Sequence, residues 1–184
     1  MPRTTLQNLT LEELWELFPI SLSPHNPLWP RWAEEEICLL ARLLAPVSPV
    51  MHHIGSTAIP TIQAKPIVDI LVEVANGVEW SSVVSLMEAA GYICMARSPI
   101  RISFNKGYTP DGYAEKVFHI HFHRTGDTPE ILFRDYLLTH PEAARHYEQL
   151  KLSLLPKYKN DRDAYTAAKA PFVARILALA SKSR

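Results

Sequence analysis

Hydrophobic and polar positions change period several times along the chain, and each change marks an element. From Lys116 to Arg124 the order KVFHIHFHR alternates without a break over Phe118 to His123. This predicts a strand with Phe118, Ile120 and Phe122 on a packing face and His119, His121 and His123 on the other. Ile67 to Val74 is an almost unbroken apolar run carrying Asp69 and, four places on, Glu73, and predicts a second strand. Val50 to Ile54 predicts a third strand, ending at a Gly55-Ser56 turn and followed by a short connection punctuated by Pro60. YICMAR and IRISFNKG predict two more, separated at Ser98-Pro99, with Gly107 to Gly112 as a loop.

Elsewhere the spacing is helical. Residues 1–9 read as a frayed end, and Thr10 with Glu13 makes a capping box ahead of LEELWELF, which Pro19 ends. A loop from Ile20 to Pro30 leads to a helix over Trp29 to Leu44. Its Trp32, Ile37, Leu40 and Leu44 share a core face, while Glu34, Glu35 and Glu36 point to water and complement the helix dipole. Pro46 and Pro49 close it. After an Asn76-Gly77 turn, VEWSSVVSLMEAAG predicts a helix stopped by Gly91. PEILFRDYLLTH begins at Thr128-Pro129, with Ile131, Leu132, Phe133, Tyr136 and Leu137 as its apolar stripe. Thr139 or His140 caps the next helix, Pro141 opens it, and Tyr147, Leu150 and Leu154 form its buried side. Asn160 or Asp161 opens the last, DRDAYTAAKAPFVARILALA, which Pro171 is expected to kink or split near Ala170. The sum is an α+β protein. A mixed, mostly antiparallel sheet is backed by helices within residues 20–127, a helical C-terminal portion occupies 128–184, and 1–184 forms one domain.

Composition narrows the function classes. Nineteen Lys/Arg balance nineteen Asp/Glu, so no overall field recruits nucleic acid or an acidic membrane. Residues 124–184 hold eleven Lys/Arg against seven Asp/Glu, a modest basic bias for which solvated helix faces are the simpler reading. Cys38 and Cys94 lie far apart, signal neither zinc nor a disulfide framework, and read as small buried hydrophobes. With no signal-like start and no apolar run long enough to span a bilayer, a reduced, soluble, cytoplasmic protein with no membrane partner is expected.

The chemistry concentrates in HHIGSTAIPTIQAKPIVDILVEV, from His52 to Val74. A Gly-Ser turn opening a short helix points backbone N–H groups and a hydroxyl at whatever lies above, which suits a phosphate. Asp69 on the next strand would hold the magnesium ion such a phosphate carries. Ser56 belongs to the turn more directly than Thr57. Lys65, at the mouth of the Asp69 strand, is either a point charge for phosphate or a solvated lysine. His53 is expected to shape the loop by hydrogen bonding.

The string HIGSTAIP…AKPIVDI resembles the GrpB family, placed in the nucleotidyltransferase superfamily beside polymerase-β-like enzymes. NPLWPRWAEEE, the His119-Ile120-His121 pair, FRDYLLTHPEAARHYEQLK from Phe133 and DRDAYTAAKAPFV from Asp161 extend the resemblance over about residues 20–180. It implies a sheet of nucleotidyltransferase type and a divalent metal, magnesium or manganese with zinc as a further choice, held by Asp69, His119 and His121, with Asp69 as the catalytic carboxylate. It also implies a nucleoside triphosphate, or another phosphorylated small molecule, on Gly55, Ser56, Thr57, Lys65, Arg134 and Lys169; the neutral charge and the lack of a basic stripe, by contrast, are why no nucleic-acid partner is expected. Tyr136 and Tyr165 fall in the same motifs, with core packing as their commoner role.

The superfamily pattern asks for a second acidic residue two places after the first, and here that place is Leu71. Glu73 shares the face but lies roughly 13 Å along the strand, too far to serve the same ion. The resemblance therefore implies transfer of a nucleotidyl group to an acceptor. A binding module that has lost turnover with the second carboxylate is the alternative, and a metal-dependent phosphohydrolase is a third reading.

Overall fold

The structure, a computed structural model, describes residues 9–182; the frayed end expected over residues 1–9 lies, apart from Leu9, outside them. Helices α1 (Leu11–Leu17) and α2 (Trp29–Leu43) precede strands β1 (Val50–Ile54) and β2 (Val68–Val74). Helix α3 (Trp80–Ala89), strands β3 (Ile93–Arg97), β4 (Arg101–Thr109) and β5 (Gly112–Arg124), and helices α4 (Pro129–Thr139), α5 (Pro141–Tyr158) and α6 (Arg162–Lys182) follow. The five strands form one sheet in the order β1-β2-β5-β4-β3. All pairs are antiparallel except β2 with β5. A parallel pair needs a long crossover, which α3, β3 and β4 supply.

Alternation along β2 and β5 separates two environments. Val68, Ile70 and Val72 of β2, Phe118, Ile120 and Phe122 of β5, and Ile102 and Phe104 of β4 pack beneath α2 and α3 as the main core. Opposite, Ile59 and Ile62, which follow the Gly-Ser turn, join Leu137, Ala144, Tyr147 and Ile176 of the three C-terminal helices in a second cluster. Those helices are thus anchored against the imidazole-bearing face of the sheet. Ser23 pairs with Ala64 through two backbone hydrogen bonds, which brings the Ile20–Pro30 loop to the same rim. No helix among the described residues is long and apolar enough to cross a membrane.

The capping box on Thr10 and Glu13 is present, and Asp161 Oδ1 accepts from the Ala164 amide at 2.9 Å to open α6. His140 occupies the cap position of α5, but its side chain makes no capping bond. Several expectations are corrected. The Gly107–Gly112 loop is instead the end of a hairpin: Tyr108 pairs with Tyr113 and Thr109 with Gly112, leaving Pro110-Asp111 as the turn. A bulge is absorbed at Gly107 (φ +89°), where a Cβ would strike the Lys116 carbonyl. The glutamates of α2 lie beyond its first turn, where the dipole is weak. Glu36, expected in water, is 3% exposed; its carboxylate accepts from Lys106 Nζ at 2.8 Å and from the Tyr92 hydroxyl at 2.5 Å. Cys38 is exposed and Cys94 half-buried. Leu150 and Leu154 are only half-buried, and Lys151 takes the buried place between them. Pro171 lies inside α6, which continues past it as one helix.

Candidate functional site

Register assembles the site. Asp69 on β2 lies opposite His119 on β5, and Leu71 opposite His121, so the side chains of Asp69, His119 and His121 emerge on one face within one strand spacing. Asp69 Oδ1 is 3.1 Å from His121 Nε2 and 3.4 Å from His119 Nδ1. One ligand atom from each of the three residues falls within 4.8 Å of the others. The other nitrogen of His119, Nε2, hydrogen-bonds the Tyr108 hydroxyl at 2.8 Å, and Arg162 donates to that same hydroxyl at 2.9 Å. An imidazole fixed from behind in this way is how metal-binding histidines are usually oriented. With Nδ1 as a ligand, the ring proton sits on Nε2 and is donated to Tyr108. Burial pushes the His119 imidazolium below its ordinary range, only partly opposed by Asp69, which favours the neutral, ligating form. Burial alone would raise the Asp69 carboxyl, but the hydrogen bonds and charges of His119 and His121 outweigh it and hold the group well below the usual carboxylate range. One carboxylate and two imidazoles make a mixed oxygen and nitrogen donor set that fits manganese or zinc at least as well as magnesium. Leu71, in the second acidic place, is 0% exposed. Glu73 is committed elsewhere, to His52 Nε2 at 3.2 Å and the Gly126 amide at 2.9 Å.

The turn beside Asp69 depends on glycine. Gly55 has φ +73°, and a Cβ there would collide with the Asp69 carboxylate. Residues Ser56–Ala58 follow as one turn of 3-10 helix. The Ser56 hydroxyl accepts from Lys151 Nζ at 3.2 Å, and the same ammonium donates to the Gln63 carbonyl. Thr57 is buried and its hydroxyl is engaged with His53 Nε2 at 3.0 Å, while burial pushes the His53 imidazolium down to about 4. That bond fastens the loop, the role expected of His53.

A hollow of about 400 Å³ opens above these groups, lined by Gly55, Ser56, Asp69, His119, His121 and four cations: Lys65, Lys151, Arg162 and Lys169. Burial, with Lys169 and Arg162 nearby, pushes Lys65 down to about 8. Burial, with Lys169 as neighbour, pushes Lys151 down to about 7, and Lys169 is lowered by burial too. These ammoniums are crowded and short of counter-charge, as a site awaiting an anion would be. Tyr165, also on the wall, is fully buried, yet its hydroxyl has no hydrogen-bond partner among the described residues.

Of the residues singled out from the sequence, Gly55, Ser56, Thr57, Lys65, Asp69, His119, His121 and Lys169 all border this hollow. Arg134 does not: it donates to the His53 carbonyl at 2.7 Å and pairs with Asp135, bracing the loop from behind. His123, on the same polar face of β5, is nevertheless 4% exposed and donates from Nδ1 to the Asp127 carbonyl at 2.7 Å, because the start of α4 covers it. Sequence reading missed Lys151, Arg162 and Tyr108. A signal existed for two of them: Lys151 sits four places after Tyr147 on the buried side of α5, and Arg162, Tyr165, Thr166 and Lys169 follow the one-face spacing of α6.

Relatives place the chain in a wider group. The family described as GrpB protein matches residues 19–179. A UPF0157 protein of Pseudomonas aeruginosa is 37% identical over 161 residues, covering 86% of this chain and 66% of that one. The UPF0157 protein YqkA of Bacillus subtilis is 30% identical over 169 residues, 89% of this chain and 48% of its own. This chain thus spans between about half and two thirds of those two relatives. The crystal structure of the conserved protein GrpB from Enterococcus faecalis superposes with a TM-score of 0.73 at 32% identity, over 89% of this chain and 98% of that one. The Cid1 poly(U) polymerase with MgGTP bound superposes at 0.50 and 14% identity, over 80% of this chain and 46% of that one, a likeness of fold alone. With the match spanning nearly every element from the Ile20 loop to α6, the chain belongs to the GrpB family and has a nucleotidyltransferase-like fold.

Proposed function

We propose that this chain binds a nucleoside triphosphate with a divalent cation and transfers the nucleotidyl group to an acceptor. The observation that carries the reading is the opening of Asp69, His119 and His121 onto the same hollow as Ser56, Arg162 and three lysines whose charged forms burial disfavours. Asp69, His119 and His121 would hold the cation, which supplies charge neutralisation at the α-phosphate. Lys65, Lys151, Lys169 and Arg162 take the remaining phosphate charge, and Ser56 and the turn amides orient it. Because α5 and α6 complete the hollow, the helical portion 128–184 belongs to the same functional unit as the sheet.

A second reading, a binding module without turnover, is favoured by one observation: Leu71 is sealed in the sheet where a second metal carboxylate would stand. Thermal shift with ATP, GTP, CTP and UTP, alone and with magnesium, manganese or zinc, on the wild type and Asp69→Ala, separates the two. Stabilisation that needs both metal and Asp69, followed by pyrophosphate release from ATP, supports the transferase. Stabilisation by nucleotide alone, unchanged in Asp69→Ala, supports the module, and no response to any nucleotide refutes both.

A further inference from the structure

The cavity over Asp69 has a second lobe of about 380 Å³. The two lobes meet at Gly55, Ser56, Asp69, His121 and Lys169, but their walls differ in kind. Lys65, Lys151 and Arg162 line only the first, whereas Ile54, Pro129, Phe133, Val173 and Leu177 line only the second. Away from the shared floor, the charged group of the second lobe is Glu130. Its Oε2 is out of water with no hydrogen-bond partner among the described residues; the nearest basic nitrogen to it is His123 Nδ1 at 3.6 Å, beyond hydrogen-bond reach.

In-line displacement at phosphorus puts the attacking and leaving oxygens on opposite sides. With β- and γ-phosphates among the lysines, the α-phosphorus lies over the shared floor and the nucleophile must arrive from the other lobe. Given the nucleotidyl transfer proposed above, on which this inference rests, we propose that the apolar lobe is the acceptor site and that the acceptor is a small, largely apolar molecule bearing a free hydroxyl. A polynucleotide end is disfavoured, because beyond Lys169 on the shared floor its phosphates would meet Glu130 and apolar walls instead of a cluster of cations. The volume matches a compact organic molecule. The acceptor oxygen forms the new bond to the α-phosphorus. The bond from that phosphorus to the bridging oxygen breaks with its electron pair going to pyrophosphate, and the hydroxyl proton is released to water.

The test uses the full chain with α-labelled ATP and manganese, offering benzyl alcohol, cyclohexanol and 4-hydroxyphenylethanol on one side and an oligoadenylate RNA on the other. Label is expected on the small alcohols, with equimolar pyrophosphate. Leu177→Trp, and independently Val173→Phe, should cut that transfer by about tenfold or more while leaving the ATP-induced thermal shift unchanged; both sites are half-buried and tolerate enlargement better than the core. Label appearing on RNA overturns the inference. So does transfer to alcohols that survives both substitutions, or an ATP shift with no label on any alcohol. Absence of an ATP shift in the wild type refutes the nucleotide reading itself, and this inference falls with it.

Discussion

Lys151 holds a buried ammonium at a cost that can be measured. Its side chain is 3% exposed and its ammonium is pushed down from 10.5 to about 7, which at roughly 1.4 kcal/mol per tenfold amounts to about 5 kcal/mol against the charged form. The folded-state value lies below the unfolded one, so between about pH 7 and 10.5 the unfolded chain binds the extra proton and stability rises with pH. Integrated from pH 7 to 9, the group alone contributes about 2 kcal/mol of added stability. Lys65, also lowered, adds to the trend. Lys151→Met removes the penalty but also the hydrogen bonds to Ser56 and Gln63, which together offset about 2 kcal/mol. The variant should therefore be more stable than the wild type at pH 7 by about 2–3 kcal/mol, and its urea midpoint should climb less steeply towards pH 9. An anion that re-protonates the lysines should do the same to the wild type, so ATP with metal stabilises more at pH 7 than at pH 9. A Lys151→Met protein that is less stable at pH 7, or whose pH profile is superimposable on the wild type, refutes the reasoning.

Three further outcomes are expected. Gly55→Ala forces a Cβ into the Asp69 carboxylate at a positive φ and should cost about 2–4 kcal/mol in urea denaturation, together with any metal-dependent thermal shift. Tyr108→Phe removes the bond to His119 Nε2 and should weaken manganese or zinc binding by about 10–100-fold in calorimetry, with little change in fold by circular dichroism. Glu36→Ala strands Lys106 and the Tyr92 hydroxyl; because Lys106 is about one third exposed, a loss of about 2–3 kcal/mol is expected, and an unchanged denaturation midpoint would show the buried pair to be dispensable.

The sheet and its attendant helices were legible because their signals are local: the His119-His121-His123 alternation, the apolar run around Asp69, and the Thr10 and Glu13 cap all act within a few residues. Departures arose where a distant partner decided the outcome. Glu36 looks solvated until Lys106 and Tyr92 approach from the sheet, and His123 looks exposed until α4 covers it. Pro171 sits inside a helix that continues because neighbouring helices hold it by its apolar side chains. At the site, Gly55, Ser56 and Asp69 announced themselves through turn chemistry and an isolated carboxylate. Lys151 and Arg162 read as ordinary helix-surface charges, and only the return of α5 and α6 across the sheet makes them wall.

Side-by-side alignment of β2 and β5 has a kinetic consequence. The carboxylate and imidazole that meet there are 52 positions apart, and the serine and lysine that close the other wall are 95 apart. Contacts of such long range form late and raise the barrier to reaching the native state. A ligand that needs all of them at once has nothing to grip in the transition state, so saturating it should slow the escape from the folded form and leave the refolding rate almost untouched.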